Sequence, residues 1–192
     1  MNDTALPVRT MRRLRLPTRR QGLKLLHWSM VPLFVWFVIA TPEFVRGLWG
    51  SRGNAINSQI ALVFVTLCLI WTVDVAFRGM AGRPGPKLSP RLKRFHWWLH
   101  RIIVAGIAMI PLGGFLIGLT SDRLLKAGGI LPIAPPMDWE RANEIIGKVH
   151  IYQFYTLCGI VVIHAGFHIW RHVKLRDNAL RIMVPKALHR WL

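Results

Sequence analysis

The residues best able to do chemistry in this chain are its histidines. Four of the eight, His150, His164, His168 and His172, fall in one apolar stretch, EIIGKVHIYQFYTLCGIVVIHAGFHIWRH, spanning 144–172. An imidazole inside lipid is costly and usually marks a function there. His150 and His164 are fourteen positions apart, which on a helix is ~21 Å along the axis. Fourteen steps of ~100° also return the side chain to within ~40° of its starting face. One helix thus presents two imidazoles to the same side, one near each membrane surface. Such a helix would supply an axial ligand to each of two haems stacked across a bilayer, because bundle cores build cofactor sites from facing helices. The plainer reading is a hydrogen-bonded core histidine. A zinc site lacks support from any HExxH or cysteine pair, although His164 and His168, four apart, keep a chelated metal open.

The elements that must position these groups follow from hydropathy. The chain has 192 residues, is 53% hydrophobic and contains nine Trp, with a mean hydropathy of +0.35. The apolar residues gather in four blocks, roughly 23–41, 56–77, 97–119 and 145–170, each close to the ~20 residues a spanning helix needs. The blocks are apolar around most of their circumference, as lipid-facing helices are. The expectation is an all-α fold: one transmembrane domain over 1–192, an integral membrane four-helix bundle with basic tails. No secretory signal is visible, since a basic stretch leads into an apolar run with no small-residue cleavage site. Cys68 and Cys158 fall mid-helix, so neither a disulfide framework nor a CxxCH haem-attachment site is present.

The net charge of +18 is distributed unevenly. Seven Lys/Arg precede Leu25, six lie between the second and third blocks, and six follow Trp170. The first outer connection has only Arg46 and Arg52 beside Glu43, and in the second outer connection acidic residues cancel the basic ones. By the positive-inside rule both termini and the 79–94 loop are cytoplasmic. These runs lack the aromatic interleaving of a single-strand binder, so nucleic acid is not expected as a partner, and anionic lipid headgroups suffice. This topology puts His27, His96, His100 and His164 toward the cytoplasmic surface and His150 near the outer one. His168, His172 and His189 fall at or beyond the cytoplasmic interface, and His96 and His100, flanking Trp97 and Trp98, read equally well as interface anchors.

The connections have their own punctuation. The 79–94 segment, GMAGRPGPKLSPRLKR, is too rich in Gly and Pro to continue either helix. The outer segment TSDRLLKAGGILPIAPPMDWERANE is long enough to dock a partner or to be a plain surface loop. Pro111 in MIPLGG should bend the third helix, and Gly113 and Gly114 would let a helix or flat ligand approach closely.

With those segments in place, the chain resembles the bacterial cytochrome b561 family, related to the cytochrome b subunits of nickel–iron hydrogenases and formate dehydrogenases. GLKLLHWSMVPLF is similar to that family's first helix and LHRIIVAGIAMIPLGG to its third. VHIYQFYTLCGIVVIHAGFHIWRHVKLRDNALRIMVP resembles its fourth helix and tail, including the fourteen-residue histidine spacing. The resemblance implies that His27 and His164 bind the iron of a cytoplasmic-side haem b, and that His150 is one ligand of an outer haem. The family takes that outer haem's second ligand from a histidine near the start of helix two, where this chain reads GNAINSQIALVF. Asn57 or Gln59 would fall closest, and neither is a usual haem ligand. One haem b is therefore expected; a second would need His150 to be five-coordinate, or completed by Met137 or a partner.

Two axial imidazoles imply electron transfer rather than oxygen activation. The resemblance points to electron exchange between membrane quinone and a periplasmic redox partner, in the bacterial inner membrane, as an independent carrier or as the membrane subunit of a larger oxidoreductase. The alternatives are oxidation of a small species such as superoxide with quinone as acceptor, and a haem-free membrane anchor or transporter. His96, His100, Asp74, Arg101, His168 and Arg171 are the candidates for the quinone pocket and its proton exchange. Asp74, within helix two, calls for an ion pair with Arg101 or Arg78, while Arg101 alternatively suits a haem propionate.

Overall fold

The computed structural model describes residues 17–82, 84–184 and 186–191. The basic residues Arg9, Arg12, Arg13, Arg15 and Arg83, counted in the charge argument, lie outside them. Among the described residues, four segments are long and apolar enough to cross a membrane: Arg19–Ile39, Pro42–Arg78, Pro90–Thr120 and Glu140–Leu175. Helix α1 is Arg19–Ile39. A short α2 (Pro42–Trp49) runs through a 3-10 turn into α3 (Gly53–Arg78). Helix α4 is Pro90–Thr120. Helix α5 (Glu140–Trp170) continues through a π turn at Arg171–Leu175, and α6 is Ala179–Met183.

The helix starts obey local chemistry. Thr18 caps α1 in a reciprocal box with Gln21, the Gln21 amide donating to Thr18 Oγ1 and the Thr18 amide to Gln21 Oε1, which satisfies donors that have no intrahelical partner. Ser89 caps α4 ahead of Pro90, and Thr41 caps α2 ahead of Pro42, the placement in which a missing proline N–H costs nothing. Within the spans, Thr66, Thr72 and Thr120 donate their hydroxyls to carbonyls one turn back, each at 2.8 Å. That removes three polar groups from competition in an apolar setting. Pro111 is buried within a continuous α4.

Going round the bundle, α1 packs on α3, α3 on α4 and α4 on α5. The tightest seam is α4 against α5, where a Cβ on Gly106 would lie 2.7 Å from Leu157 Cδ1. Small residues permit this approach where no hydrophobic effect drives helices together. The core joins Leu23, Leu26 and Met30 of α1 to Phe64 and Cys68 of α3, Ile110 of α4 and Leu157 of α5. The remaining seam, α5 to α1, lacks comparable backbone packing. Side chains bridge it, with the Phe34 and Phe154 rings 5.4 Å apart.

Two ends of the bundle differ. At the basic end the chain after α5 folds back on α1: Trp28 Nε1 donates to the Met183 carbonyl at 2.8 Å and Lys24 Nζ to that of Val184 at 2.7 Å. Arg171 and Asp177 form a 2.6 Å ion pair with both side chains 1% exposed. At the other end the long connection contains a two-stranded hairpin, β1 (Leu125–Ala127) paired antiparallel with β2 (Leu131–Ala134), a small addition to an otherwise helical fold. Its turn rests on the start of α3, with Gly128 beside Leu62 and Gln59.

Candidate functional site

The histidines group by bundle end. His27 on α1, His96 and His100 on α4, and His164 and His168 on α5 occupy the basic end, while His150 on α5 lies toward the hairpin end, fourteen residues up the helix from His164. The α4 and α5 imidazoles form a connected set. Ring centroids lie 4.1 Å apart for His96 and His100, 4.8 Å for His100 and His164, and 4.6 Å for His164 and His168. His27 sits on the facing wall beside Trp28 and Trp71, at 5.7 and 6.4 Å.

Several polar atoms here have no partner. Nδ1 of His27, Nδ1 of His164 and Nε1 of Trp71 are all buried without a hydrogen bond. A buried unpaired polar atom is costly and calls for an explanation. Neutral imidazoles on α1 and α5, the two adjacent helices that do not close on one another, have the donor chemistry of axial haem ligands. The residues present therefore fit haem b.

His150 has a different setting. Its Nδ1 is also buried and unpartnered, and it packs so closely on α4 that a Cβ on Gly113 would stand 2.5 Å from it, against 4.0 Å from His150 Cε1 for one on Gly114. A second imidazole is lacking at this end among the described residues. Asn57 Oδ1 accepts from Trp36 Nε1 at 2.9 Å, Gln59 lies against the hairpin turn, and Met137 is 37% exposed.

The charged groups named from the sequence are rearranged. Asp74 is paired with Arg19, at 2.7 Å, and with Arg78, at 3.6 Å, and not with Arg101. Arg19 is 55 positions away and belongs to the basic run before the first span, which made it invisible to local spacing. Arg101 is exposed and lies 4.0 Å above the Trp97 ring, an interfacial cation–π contact. Arg171 is committed to Asp177. His96 is no interface anchor: it is 4% exposed, while Trp97 and Trp98 beside it are 45% and 54% exposed and take that role. His96, His100 and His168 bring one donor atom each to within 4.8 Å of one another. The signal for this grouping was present as two histidine pairs four apart, at 96/100 and 164/168, at the same end of antiparallel helices.

Four spanning helices with buried, unpaired imidazole nitrogens near one end suit a membrane haem b protein. The chain belongs to the prokaryotic cytochrome b561 family, whose model matches residues 19–186. A search of curated proteins gave no match. Family membership makes this a multi-pass bacterial membrane protein with haem b as cofactor and an electron-transfer role, and sets aside the haem-free anchor or transporter.

Proposed function

We propose that this protein carries electrons between the quinone pool and a periplasmic redox partner, through one haem b held between α1 and α5 by His27 and His164. The observation that supports it is the α5–α1 seam, bridged by side chains rather than by close backbone packing and bordered by His27 on α1 and His164 on α5. Haem b ligated by two imidazoles supplies a one-electron couple with no open position for oxygen. His27 and His164 would fix its plane and exclude other ligands. Phe34 and Phe154, bridging the seam at 5.4 Å, would wall the pocket on the side away from the basic end. His150, with no second imidazole opposite, is left without a full ligand set, hence one haem per chain.

The basic end would face the cytoplasm of a bacterium and the span set would lie in its inner membrane. A groove of about 420 Å³ between α1 and α3, lined by Leu23, Leu26, Leu67, Ile70, Asp74 and Arg78 among others, offers apolar walls with a charged lip for a quinone. At the opposite end, Ile130, Leu131 and Trp139 are 74%, 64% and 57% exposed and offer a surface for the periplasmic partner. The test is spectroscopic. His27→Ala and His164→Ala should each abolish the low-spin haem b absorption of the purified protein, and His150→Ala should leave it largely intact. A normal reduced spectrum in both of the first two variants would sink the ligand assignment.

A further inference from the structure

Beside the proposed haem pocket, α4 and α5 put three other imidazoles to a common point. We propose that His96, His100 and His168 form a binding site for a borderline divalent transition metal ion of the zinc class, separate from haem. Their donor atoms lie within 4.8 Å of one another. A tetrahedral zinc with ~2.0–2.1 Å bonds needs nitrogens ~3.3 Å apart, so small rotations of three side chains close the site.

Protonation favours the same use. His100 Nδ1 lies 2.8 Å from the His96 carbonyl, and a carbonyl only accepts, so Nδ1 carries the proton. The lone pair is left on Nε2, and the bond to the carbonyl is the kind of outer contact that orients metal-ligating histidines. His168 Nε2 is buried and without a hydrogen-bond partner, so this nitrogen is available to a metal. The site is also roofed: a Cβ on Gly82 would stand 3.9 Å from His100 Cδ2 and 4.0 Å from His96 Cε1, so the loop before α4 lies over both rings. The nearby Arg171 guanidinium is held by Asp177 at 2.6 Å. Three imidazoles with no carboxylate select zinc, copper, nickel or iron over magnesium or calcium. His164, 4.6 Å from His168, is engaged elsewhere when it ligates haem, so the fourth position goes to water.

The experiment uses haem-loaded protein purified with a histidine-free tag, stripped with a chelator and titrated with Zn²⁺ by calorimetry, with metal counted after desalting. One Zn²⁺ per chain is expected. His96→Ala and His168→Ala should each weaken binding at least tenfold while the haem spectrum stays as in the parent; His189→Ala should change neither. His96→Gln and His168→Gln, closer in size, repeat the test should the alanine variants fail to fold. The proposal is overturned if the parent binds no Zn²⁺, if the variants bind as tightly as the parent, or if they lose the haem spectrum, which would assign these imidazoles to the haem pocket.

Discussion

Asp74 near the end of α3 accepts from both Nε and Nη2 of Arg19 at the start of α1, at 3.1 and 2.7 Å to the same carboxylate oxygen. Arg19 further donates to the carbonyls of Arg78 and Gly79, at 3.2 and 2.6 Å. A single guanidinium therefore closes the C-terminus of α3 and neutralises its only carboxylate. Charge-assisted, forked contacts of this kind are the stronger class of hydrogen bond. Arg19→Ala should lower stability by about 2 kcal/mol, because Arg78 at 3.6 Å replaces only part of the pairing. Thermal unfolding in detergent measures this, and Arg101→Ala, which removes a contact to Trp97 alone, should shift the midpoint far less.

Arg171 and Asp177 present a harder case, with both side chains 1% exposed. Asp177 also takes the Ala179 amide on Oδ1 at 3.0 Å, so it begins α6 while holding the guanidinium. Removing one partner of a buried pair leaves the other uncompensated, at a cost of about 3–5 kcal/mol. Asp177→Ala should therefore unfold the tail or prevent accumulation of the protein, whereas Asp177→Asn, whose single amide oxygen can keep either the guanidinium contact or the Ala179 cap but not both, should cost less. Protein yield and protease sensitivity after Trp170 are the measurements. Equal damage in the two variants would show that the lost charge, which both remove, outweighs the hydrogen bond that asparagine can keep.

Gly113 and Gly114 are adjacent but should respond differently to a methyl group. A Cβ at Gly113 would fall 2.5 Å from His150 Nδ1, and one at Gly114 would meet the same ring at 4.0 Å. Gly113→Ala must displace His150 or part α4 from α5, at about 1–3 kcal/mol. Gly114→Ala sits in ordinary contact and gains helix propensity, so it should be neutral or slightly stabilising. Comparing the two unfolding midpoints isolates the close approach.

Sidedness is checked by labelling. Ile130, at the hairpin turn and 74% exposed, replaced by Cys should react with a membrane-impermeant thiol reagent applied to intact cells. Ser89→Cys, exposed at the basic end, should react only after the membrane is broken. Cys68 and Cys158 lie within the spans and should contribute little background. The opposite pattern would invert the orientation and every depth assignment built on it.

The spans were legible because each is an apolar block of the right length, but the start of the third was not, since Ser89–Pro90 was read as part of the 79–94 loop and in fact caps α4. The helices nonetheless run past the blocks: α4 begins at Pro90 rather than near 97, since the Arg, Leu and Lys residues before His96 are good helix formers and need no lipid. Helix α2 followed from Thr41–Pro42 in principle, but eight residues fall below the window on which hydropathy speaks. The hairpin was illegible for a different reason: its strands of three and four residues are held by the start of α3, not by their own pattern. For the site, spacing along one helix placed His150 and His164 correctly on α5. It could not place Arg19 on Asp74, or bring the 96/100 pair to the 164/168 pair, because those contacts depend on which helices become neighbours.

The return of the tail onto α1 bears on the order in which the molecule is made. A ribosome releases Trp28 and Lys24 long before Met183 and Val184, yet these residues share the hydrogen bonds that tie the first span to the stretch after α5. During synthesis the first three spans can pack in sequence as they emerge, because each adjoins the one before it. The α5–α1 seam has no such option and stays unlatched until Met183 and Val184 have emerged. The stretch after α5 is thus a clasp fastened once all four spans have been made, and the side of the bundle it fastens is the one bordered by His27 and His164.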